Sequence, residues 1–321
     1  MKYCFIINLN AGKGDFFEAL QSEIKNVCAD AGAEYDIFAS ESFASTLEYV
    51  RSEAERAFPE KIAFIAAGGD GTLCKTATAV MSLPEEHRKN ACVGVIPLGT
   101  GNDFVSNFFN KERFSSIKAL MKPSEYEIDV IRCNDLYSVN MINIGFDSEV
   151  VCKKEEIGRR KWLPRKFAYI FSLIITLFRK PTVSMEISVD GEESEKKHLL
   201  LTTYANGAFC GGGFNSNPKA VLSDGMIDML FVNNVGRLKF LTLVGDYKKG
   251  NHLSDKFKDI IENKKCQSAY MRFDTETPVS VDGEIIRTRE LSLSIERKAL
   301  RIVLPFGVTP IAEPMPQKEL V

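Results

Sequence analysis

The sequence lacks several patterns that define common functional classes. Its eight cysteines are scattered and form no Cys-x-x-Cys pair, so neither a zinc site nor a disulfide framework is predicted. No Gly-x-Ser-x-Gly turn is present, so nothing indicates a serine hydrolase. The three histidines, His87, His198 and His252, have no metal-ligand spacing and are interpreted as surface or strand residues.

A charge excess and a long apolar run are missing as well. The 41 basic and 43 acidic side chains give a formal net charge of −2, so no attraction to nucleic acid is expected. Residues 167–178 are apolar, but a membrane-spanning helix needs about 20 residues. Since a strand-like run begins at residue 3, no signal peptide is expected, and unpaired cysteines are typical of a cytoplasmic protein.

The patterns that the sequence does contain predict two domains. In residues 1–130, continuous apolar runs typical of buried parallel strands alternate with helical patterns. The predicted strands are 3–7, 35–38, 62–67 and 92–96, and the predicted helices are 16–31, 46–58 and 73–83. This order predicts an α/β domain with a parallel, helix-covered sheet.

Residues 131–321 carry mainly strand patterns and predict a β-rich second domain. Turns at Asn134-Asp135 and Asp190-Gly191 predict two hairpins, which join strands 126–133 and 136–144, and strands 183–189 and 198–204. The other predicted strands are 226–232, 269–273, 279–281, 291–295 and 300–304, and the predicted helices are 164–178 and 238–247. An alternative division returns the last strand, about 300–310, to the first domain.

Three glycine-containing loops follow predicted strands of the first domain, at residues 8–14, 68–73 and 97–104. Glycines let a backbone turn sharply and bring its N–H groups close to a phosphate. Parallel strands end at one edge of a sheet, where open α/β folds bind their ligands. The loops therefore predict a phosphate site, whereas an ordinary glycine turn is the alternative for each loop taken alone.

The ordered motifs resemble the catalytic domain of the diacylglycerol kinase superfamily, and within it soluble bacterial lipid kinases. The matching segments are 68–72, 97–104, 206–207, 211–214, 217–220, 224–228 and 281–284. The resemblance implies an α/β nucleotide-binding domain joined to an antiparallel β-sandwich, with the active site in the cleft between them. It also implies transfer of phosphate from ATP, with Mg²⁺, to a hydroxyl of diacylglycerol or a related lipid.

The resemblance further implies the residues that contact the nucleotide. These are Asn8, Leu9, Asn10, Ala11, Gly12, Ser40, Gly68, Gly69, Asp70, Gly71, Thr72, Gly99, Thr100, Asn102 and Asp103. Asp70 is the local carboxylate that orients the metal or its waters, or alternatively bonds its own turn. Ser40 takes the place of a threonine, or alternatively caps the next helix.

Asp282 and Glu284 are the candidate base and its partner. An extended segment would put both carboxylates on one face, although Asp-Gly is also a hairpin turn signal. The resemblance adds a structural Mg²⁺ held by the carbonyls of Val221 and Met226 and the carboxylate of Asp224; a plain turn is the alternative.

Some positions depart from the pattern of the superfamily. Leu9 replaces a proline, and Cys74-Lys75 replaces an Asn-Glu pair, which removes a carboxylate near the phosphates and adds a cation. Gly101 replaces an alanine, which is a mild change.

Residues 153–180 combine nine basic and two acidic side chains with Trp162. Such a stretch favours transient contact with an anionic membrane surface, where the lipid substrate lies, and a solvated loop followed by a core helix is the alternative.

Two other functions remain open at this point: an NAD-kinase-like enzyme with a soluble acceptor, and a non-catalytic nucleotide- or lipid-binding protein. Homodimer formation is open as well.

Overall fold

A computed structural model describes residues 1–9, 16–146, 148–152 and 182–312. The chain divides into two compact units. Unit 1 contains Met1–Val130 and the chain from Arg297 onward, and unit 2 contains Ile131–Glu296. The chain passes between the units within two long strands, β6 (Ser124–Cys133) and β16 (Glu284–Leu304).

Unit 1 is built on a parallel sheet with the strand order β4-β3-β1-β2. These strands are β1 (Lys2–Asn8), β2 (Tyr35–Ser40), β3 (Ile62–Gly68) and β4 (Ala91–Pro97). The end of β16 adds a further parallel neighbour, with Ile302 opposite Val93. A two-stranded ribbon pairs β5 (Phe108–Phe109) with β17 (Thr309–Pro310).

The described part of unit 1 contains five α-helices: α1 (Phe16–Ala31), α2 (Phe43–Ala57), α3 (Asp70–Met81), α4 (Glu85–Arg88) and α5 (Ile117–Leu120). The buried residues Leu20, Ile24 and Cys28 recur every fourth position on α1, so this helix packs one apolar stripe on the sheet. Every residue of β3 is buried, which explains its continuous apolar run.

The predicted helices of unit 1 are confirmed, but two of them begin earlier than predicted. Helix α2 starts at Phe43 rather than residue 46, because Ser42 and Ser45 form a reciprocal capping box. Ser42 is therefore the cap, not Ser40, whose hydroxyl lies 2.7 Å from Oγ1 of Thr46. Helix α3 starts at Asp70 rather than residue 73, so the glycine motif forms its first turn.

Unit 2 is an antiparallel sheet with the strand order β14-β13-β10-β8-β15-β16, and β9 pairs with both β10 and β15. Its strands include β7 (Leu136–Ser138), β8 (Met141–Gly145), β9 (Val183–Val189), β10 (Glu195–Ala205), β11 (Phe209–Cys210), β12 (Phe214–Asn215), β13 (Ile227–Asn233), β14 (Ile261–Cys266) and β15 (Ser268–Val281). Helix α6 (Arg237–Lys249) covers a core that includes Leu230 and Phe257.

Three strand predictions for unit 2 are corrected. The strand predicted over 136–144 is interrupted at residues 139 and 140, giving β7 and β8. The segments 269–273 and 279–281 belong to one strand, β15, with a register shift between Arg272 and Thr277. The segments 291–295 and 300–304 are parts of β16. Strand β14 was not predicted, because its polar sequence IENKKC lacks a clear apolar alternation.

The predicted helix over 164–178 lies outside the described residues. Among the described residues, no helix has the length and apolarity needed to cross a bilayer.

Candidate functional site

The carboxyl ends of four parallel strands place the predicted phosphate loops at one edge of unit 1. Asn8 of β1 is opposite Ser40 of β2, and Gly68 of β3 is opposite Pro97 of β4. The expectation of a shared edge is therefore confirmed for the loops after β3 and β4. Asn10, Ala11 and Gly12 lie outside the described residues, whereas Asn8 ends β1 at this same edge.

The Gly-Gly-Asp-Gly-Thr motif forms the N-terminus of helix α3. Gly69 is the N-cap, and no side chain caps the helix at this position. The first N–H groups of a helix lack intrahelical acceptors, and the helix dipole adds positive potential there. Because the 12-residue helix α3 begins at Asp70, the N–H groups of its first turn are suited to an anionic group such as a phosphate.

The two glycine loops touch through their backbones. A Cβ atom on Gly99 would lie 2.5 Å from the Cα of Gly69, and the backbone N–H of Leu98 donates to the Gly68 carbonyl over 2.7 Å. Any side chain at residue 99 would therefore push the loops apart. Glycine is needed at this position for close approach, and the contact fixes the second loop against the start of α3.

Asp70 and Asp103 converge beside Gly101. Oδ2 of Asp103 and Oδ2 of Asp70 lie 3.0 and 3.2 Å from the position that a Cβ at residue 101 would take. Oδ1 of Asp70 accepts the Phe104 N–H over 3.1 Å, which orients the Asp70 carboxylate toward the second loop. Two carboxylates near a helix N-terminus are suitable oxygen ligands for Mg²⁺, which binds through few carboxylates plus phosphates.

Side-chain hydrogen bonds hold the rest of this edge in place. Asn8 Nδ2 donates to Thr72 Oγ1 over 3.2 Å, which joins the end of β1 to the first turn of α3. Asn102 has a positive φ of 55° and closes its own turn by two hydrogen bonds with Gly99. Thr100 is exposed at the tip of that turn. Ser40 lies at the end of β2, and the structure shows no contact that assigns it to a ligand.

In unit 2, Asp282 is a buried carboxylate surrounded by donors from residues 138–141. Its Oδ1 accepts from the Ser138 hydroxyl at 2.7 Å, the Asn140 N–H at 3.2 Å and the Met141 N–H at 2.7 Å. Its Oδ2 accepts from the Val139 N–H at 2.8 Å. Val139 and Asn140 form the gap between β7 and β8, and Ser138 and Met141 flank it, so the interrupted strand turns its donors toward this carboxylate.

The turn geometry separates Asp282 from Glu284. Asp282 and Gly283 have φ values of 47° and 88° and form the two-residue turn between β15 and β16, with Val281 opposite Glu284. Both turn residues have positive φ, as in a type I′ hairpin. The extended segment expected around Asp282 is therefore wrong, and the hairpin alternative is confirmed. Glu284 is half-buried and is the first residue of β16.

The three residues predicted to hold a structural Mg²⁺ do not fit that ion in this structure. Asp224 Oδ1 accepts the Met226 N–H over 3.0 Å, and Asp224 Oδ2 lies 2.5 Å from the Lys265 ammonium. The same ammonium lies 3.2 Å from Asp228 Oδ2. A divalent ion bound to Asp224 would therefore lie close to an ammonium group that already neutralises this carboxylate.

The ion pair between Lys265 and Asp228 lowers the pKa of Asp228 and raises the pKa of Lys265. Burial, only partly offset by the charge of Lys265, raises the pKa of Asp228 to about 6. Burial also opposes the charge on Lys265, but the hydrogen bond to Asp224 and the charge of Asp228 outweigh it and raise the pKa of Lys265. The Asp228 shift therefore follows from burial, whereas the Lys265 shift follows from its two carboxylate partners.

Sequence reasoning missed Ser138 and Lys265. The backbone donors around Ser138 have no residue-type signal, and the strand interruption at residues 139 and 140 that brings them together was not predicted. Lys265 reaches Asp228 because β13 and β14 pair them directly, and β14 was not predicted. Among the described residues, no group of three or more histidine, cysteine or acidic side chains is arranged to hold a metal ion.

Comparison with known families assigns a class to this two-unit fold. Residues 2–133 match the diacylglycerol kinase catalytic domain, and residues 140–304 match the YegS C-terminal NAD kinase beta sandwich-like domain. The chain belongs to the kinase family that these two domains define. The resemblance to the diacylglycerol kinase superfamily and the two-domain architecture are thereby confirmed.

Individual relatives agree with this assignment. A protein described as "Probable lipid kinase YegS-like" from Alcanivorax borkumensis is 27% identical over 261 residues, which are 81% of this chain and 83% of that protein. A diacylglycerol kinase from Staphylococcus carnosus is 26% identical over 282 residues, 87% of each chain. A diacylglycerol kinase structure from Bacillus anthracis str. Sterne has a TM-score of 0.69 at 21% identity, covers 96% of this chain and 98% of its own, and shares the fold.

Proposed function

We propose that the protein is an ATP- and Mg²⁺-dependent kinase that transfers the γ-phosphate to a hydroxyl of diacylglycerol or a related lipid. The names of the relatives support the lipid as the acceptor class. The observation that carries the proposal is the N-terminus of helix α3, which has no side-chain cap and lies against Gly99 beside two carboxylates. This arrangement offers donors for phosphate and ligands for a metal in one place.

The phosphates of ATP bind at the first turn of α3 in this proposal. Phosphoryl transfer depends on positioning and on neutralising negative charge more than on covalent chemistry. Backbone N–H groups at a helix N-terminus supply positioned donors, and Gly99 keeps the second loop close to them. Asn8 and Thr72 support this surface from the side of β1.

Asp70 and Asp103 would hold Mg²⁺, because their oxygens converge at Gly101. Mg²⁺ supplies positive charge to the phosphates when bound. The hydrogen bond from the Phe104 N–H directs the Asp70 carboxylate toward the second loop. Asp70 and Asp103 therefore act as metal-binding residues, and neither of them needs to take a proton.

The two carboxylates of the Asp-Gly-Glu turn have different roles in the proposal. Four donors already occupy the oxygens of Asp282, so the Asp282 carboxylate has little capacity left to accept a proton from an alcohol. Glu284 is half-buried at the start of β16 and is the better candidate for the general base. The role of Asp282 is to hold the turn that presents Glu284, and transfer requires Glu284 to reach an acceptor beside the nucleotide.

The experiment that tests this function is transfer of labelled phosphate from ATP to dispersed diacylglycerol, other lipids with a free hydroxyl, and NAD. The expected product is a phosphorylated lipid, whose mass identifies the acceptor, formed only when Mg²⁺ is added. Transfer to NAD and to no lipid would assign the NAD-kinase-like alternative. ATP binding without transfer to any of these acceptors would assign a non-catalytic binding protein.

The basic stretch 153–180 lies outside the described residues, and its contact with anionic membranes remains a prediction from sequence. Each basic residue near an anionic surface contributes about 1 kcal/mol. Replacing Arg159, Arg160 and Lys161 by serine should weaken binding to vesicles containing phosphatidylglycerol by ~100-fold at low salt. Equal partitioning of the variant and the parent protein in vesicle sedimentation would favour the solvated-loop alternative.

A further inference from the structure

We propose that the Lys265 ammonium replaces a divalent metal ion as the cation that fastens the Asp224 loop to the sheet of unit 2. The proposal goes beyond the proposed function, because it holds whichever acceptor the enzyme phosphorylates. It replaces the Mg²⁺ that the sequence resemblance implied at Val221, Asp224 and Met226. The predicted consequence is a unit 2 whose stability does not depend on divalent cations.

The strand register puts Lys265 at this position. Asp228 of β13 and Lys265 of β14 are direct partners in the antiparallel ladder, so their side chains lie on the same face of the sheet. The ammonium contacts Asp228 at 3.2 Å and extends to Asp224 at 2.5 Å. One lysine therefore joins two strands and the loop before β13.

The oxygens of Asp224 leave a divalent ion no favourable approach. Asp224 Oδ1 accepts the N–H of Met226, and Oδ2 contacts the ammonium. Magnesium binds oxygen ligands at about 2.0–2.1 Å, so it would have to displace the lysine or share the same carboxylate with it. The displacement would move an ammonium that is already compensated by two carboxylates, and repulsion between two nearby cations opposes joint occupancy.

The same loop is also hydrogen-bonded to the sheet of unit 2 through Asn217. Asn217 Nδ2 donates to the Asp228 carbonyl over 2.9 Å, and Asn217 Oδ1 accepts from the Thr203 hydroxyl over 2.7 Å. The loop between Asn217 and Asp228 is therefore tied to the sheet at its start by an amide and at its end by the lysine. Loss of the cation should loosen the Asp224 end while the Asn217 end stays bound.

The experiment is thermal unfolding of the full chain, without nucleotide, in EDTA and in millimolar MgCl₂ or CaCl₂. The parent protein should unfold at the same temperature in all three solutions. Lys265→Met keeps the apolar stem and removes the charge, which leaves Asp224 and Asp228 as an uncompensated acidic pair. The Lys265→Met variant should lose ~5–10 °C in EDTA and recover most of that loss in CaCl₂ or MgCl₂.

Lys264→Met is the matched control, because Lys264 is the adjacent residue of β14 and pairs with Glu262 rather than with Asp224. Its unfolding temperature should not depend on divalent ions. A parent protein that is destabilised by EDTA, or a Lys265→Met variant that is insensitive to added ions, would overturn the proposal.

A second measurement tests the proposal even where Lys265→Met fails to fold. The number of Mn²⁺ ions bound by the nucleotide-free protein, counted by electron paramagnetic resonance, should be the same for the parent protein and for Asp224→Asn. One ion fewer in Asp224→Asn would show that Asp224 holds a metal ion and would contradict the proposal.

Discussion

The carboxylates of the two units are used in different ways. In unit 1, Asp70 and Asp103 converge beside a glycine at the start of α3, where no side chain caps the helix. In unit 2, Asp282 is surrounded by four donors of the chain itself, and Asp224 is held by Met226 and Lys265. The start of α3 is therefore the ligand site in our proposal, whereas the two carboxylates of unit 2 make hydrogen bonds or ion pairs within the unit.

In kinases of this architecture, sequence motifs alone do not distinguish a carboxylate proposed to bind a ligand from one that holds the fold together. The Asp-Gly sequence occurs in both units, at Asp70-Gly71 and at Asp282-Gly283. In the first it opens a helix, and in the second it closes a hairpin. The difference comes from which donors surround each carboxylate, and the following experiments test that difference.

The largest expected effect concerns Glu284. If Glu284 is the general base, Glu284→Gln should lower kcat by ~1000-fold, because positioned proton transfer contributes about 10²- to 10⁴-fold. Its unfolding temperature and its affinity for ATP should stay close to those of the parent protein. Phosphate transfer at saturating ATP and lipid measures the change.

The control for Glu284 is Glu290→Gln, an exposed glutamate on the same strand that pairs with Arg272. It should transfer phosphate at the parent rate. A Glu284→Gln variant that retains the parent rate would remove Glu284 as the base and return that role to Asp282.

The next effect concerns the stability of unit 2. Asp282→Asn places an amide N–H₂ among four donors, so at least one hydrogen bond to a charged group is lost and two donors face each other. The free energy of unfolding should fall by about 3 kcal/mol. Urea unfolding followed by circular dichroism measures it, with Asp135→Asn in the exposed Asn134-Asp135 turn as the control.

If the two asparagine variants are equally stable, Asp282 is not the structural anchor that its contacts indicate. If Asp282→Asn is stable but inactive, Asp282 takes part in catalysis directly.

A smaller effect is expected where the two glycine loops touch. Gly99→Ala puts a Cβ 2.5 Å from the backbone of Gly69, so the loops must separate and the phosphate site must widen. Overpacking of this kind costs about 2 kcal/mol, which corresponds to a ~30-fold loss of ATP affinity. Isothermal titration calorimetry with ATP and Mg²⁺ measures this change.

Gly101→Ala is the matched variant in the same loop. The three atoms nearest to its Cβ would belong to the Asp103 and Asp70 carboxylates, the closest at 3.0 Å, and these side chains can shift slightly. The expected loss of ATP affinity is at most a few-fold. Equal losses in the two variants would show that the contact between the loops does not shape the phosphate site.

The smallest effect is a pH dependence of stability from His252. Burial lowers the pKa of His252 to about 4, below its ordinary value of 6.5, so the unfolded chain binds the extra proton between these values. The contribution of neutral His252 to the free energy of unfolding is therefore lost as pH falls from about 6.5 toward 4. Between pH 7 and pH 5.5 the loss should be about 1 kcal/mol.

Asp228 changes stability in the opposite direction over part of this range. Its pKa is raised to about 6, so the folded chain binds the proton first and acid favours folding. For this reason the measurement compares the parent protein with His252→Phe, which keeps an aromatic ring beside Tyr247. If the free energies of unfolding of the two proteins change equally with pH, His252 is not the source of the pH dependence.

Much of unit 1 was predictable from sequence, because its information is local. The buried strands β1, β3 and β4 are continuous apolar runs, and the repeat of Leu20, Ile24 and Cys28 defines α1. The start of α3 was misplaced, because glycines next to an aspartate are also typical of a turn. Only the hydrogen bonds from Thr72 and Leu73 to the Gly69 carbonyl decide that the helix has already begun.

Unit 2 was less predictable, because its decisive contacts join residues far apart in sequence. Ser138 and Asp282 are 144 residues apart, and Lys265 and Asp224 are 41 apart. The interruption of the strand at residues 139 and 140 is explained only when Asp282, to which residues 138–141 donate hydrogen bonds, is located.

The sequence by itself determined the order of the main strands and helices of unit 1, the edge shared by the loops after β3 and β4, and the family, since these depend on local periodicity and on motifs in order. The tertiary structure decided that Asp282 is enclosed by the 138–141 segment and that Lys265 lies where a metal ion was expected. The physical reason is that satisfying a buried charge depends on which donors strand pairing brings to it, and the pairing of β13 with β14 is fixed only when the sheet has formed.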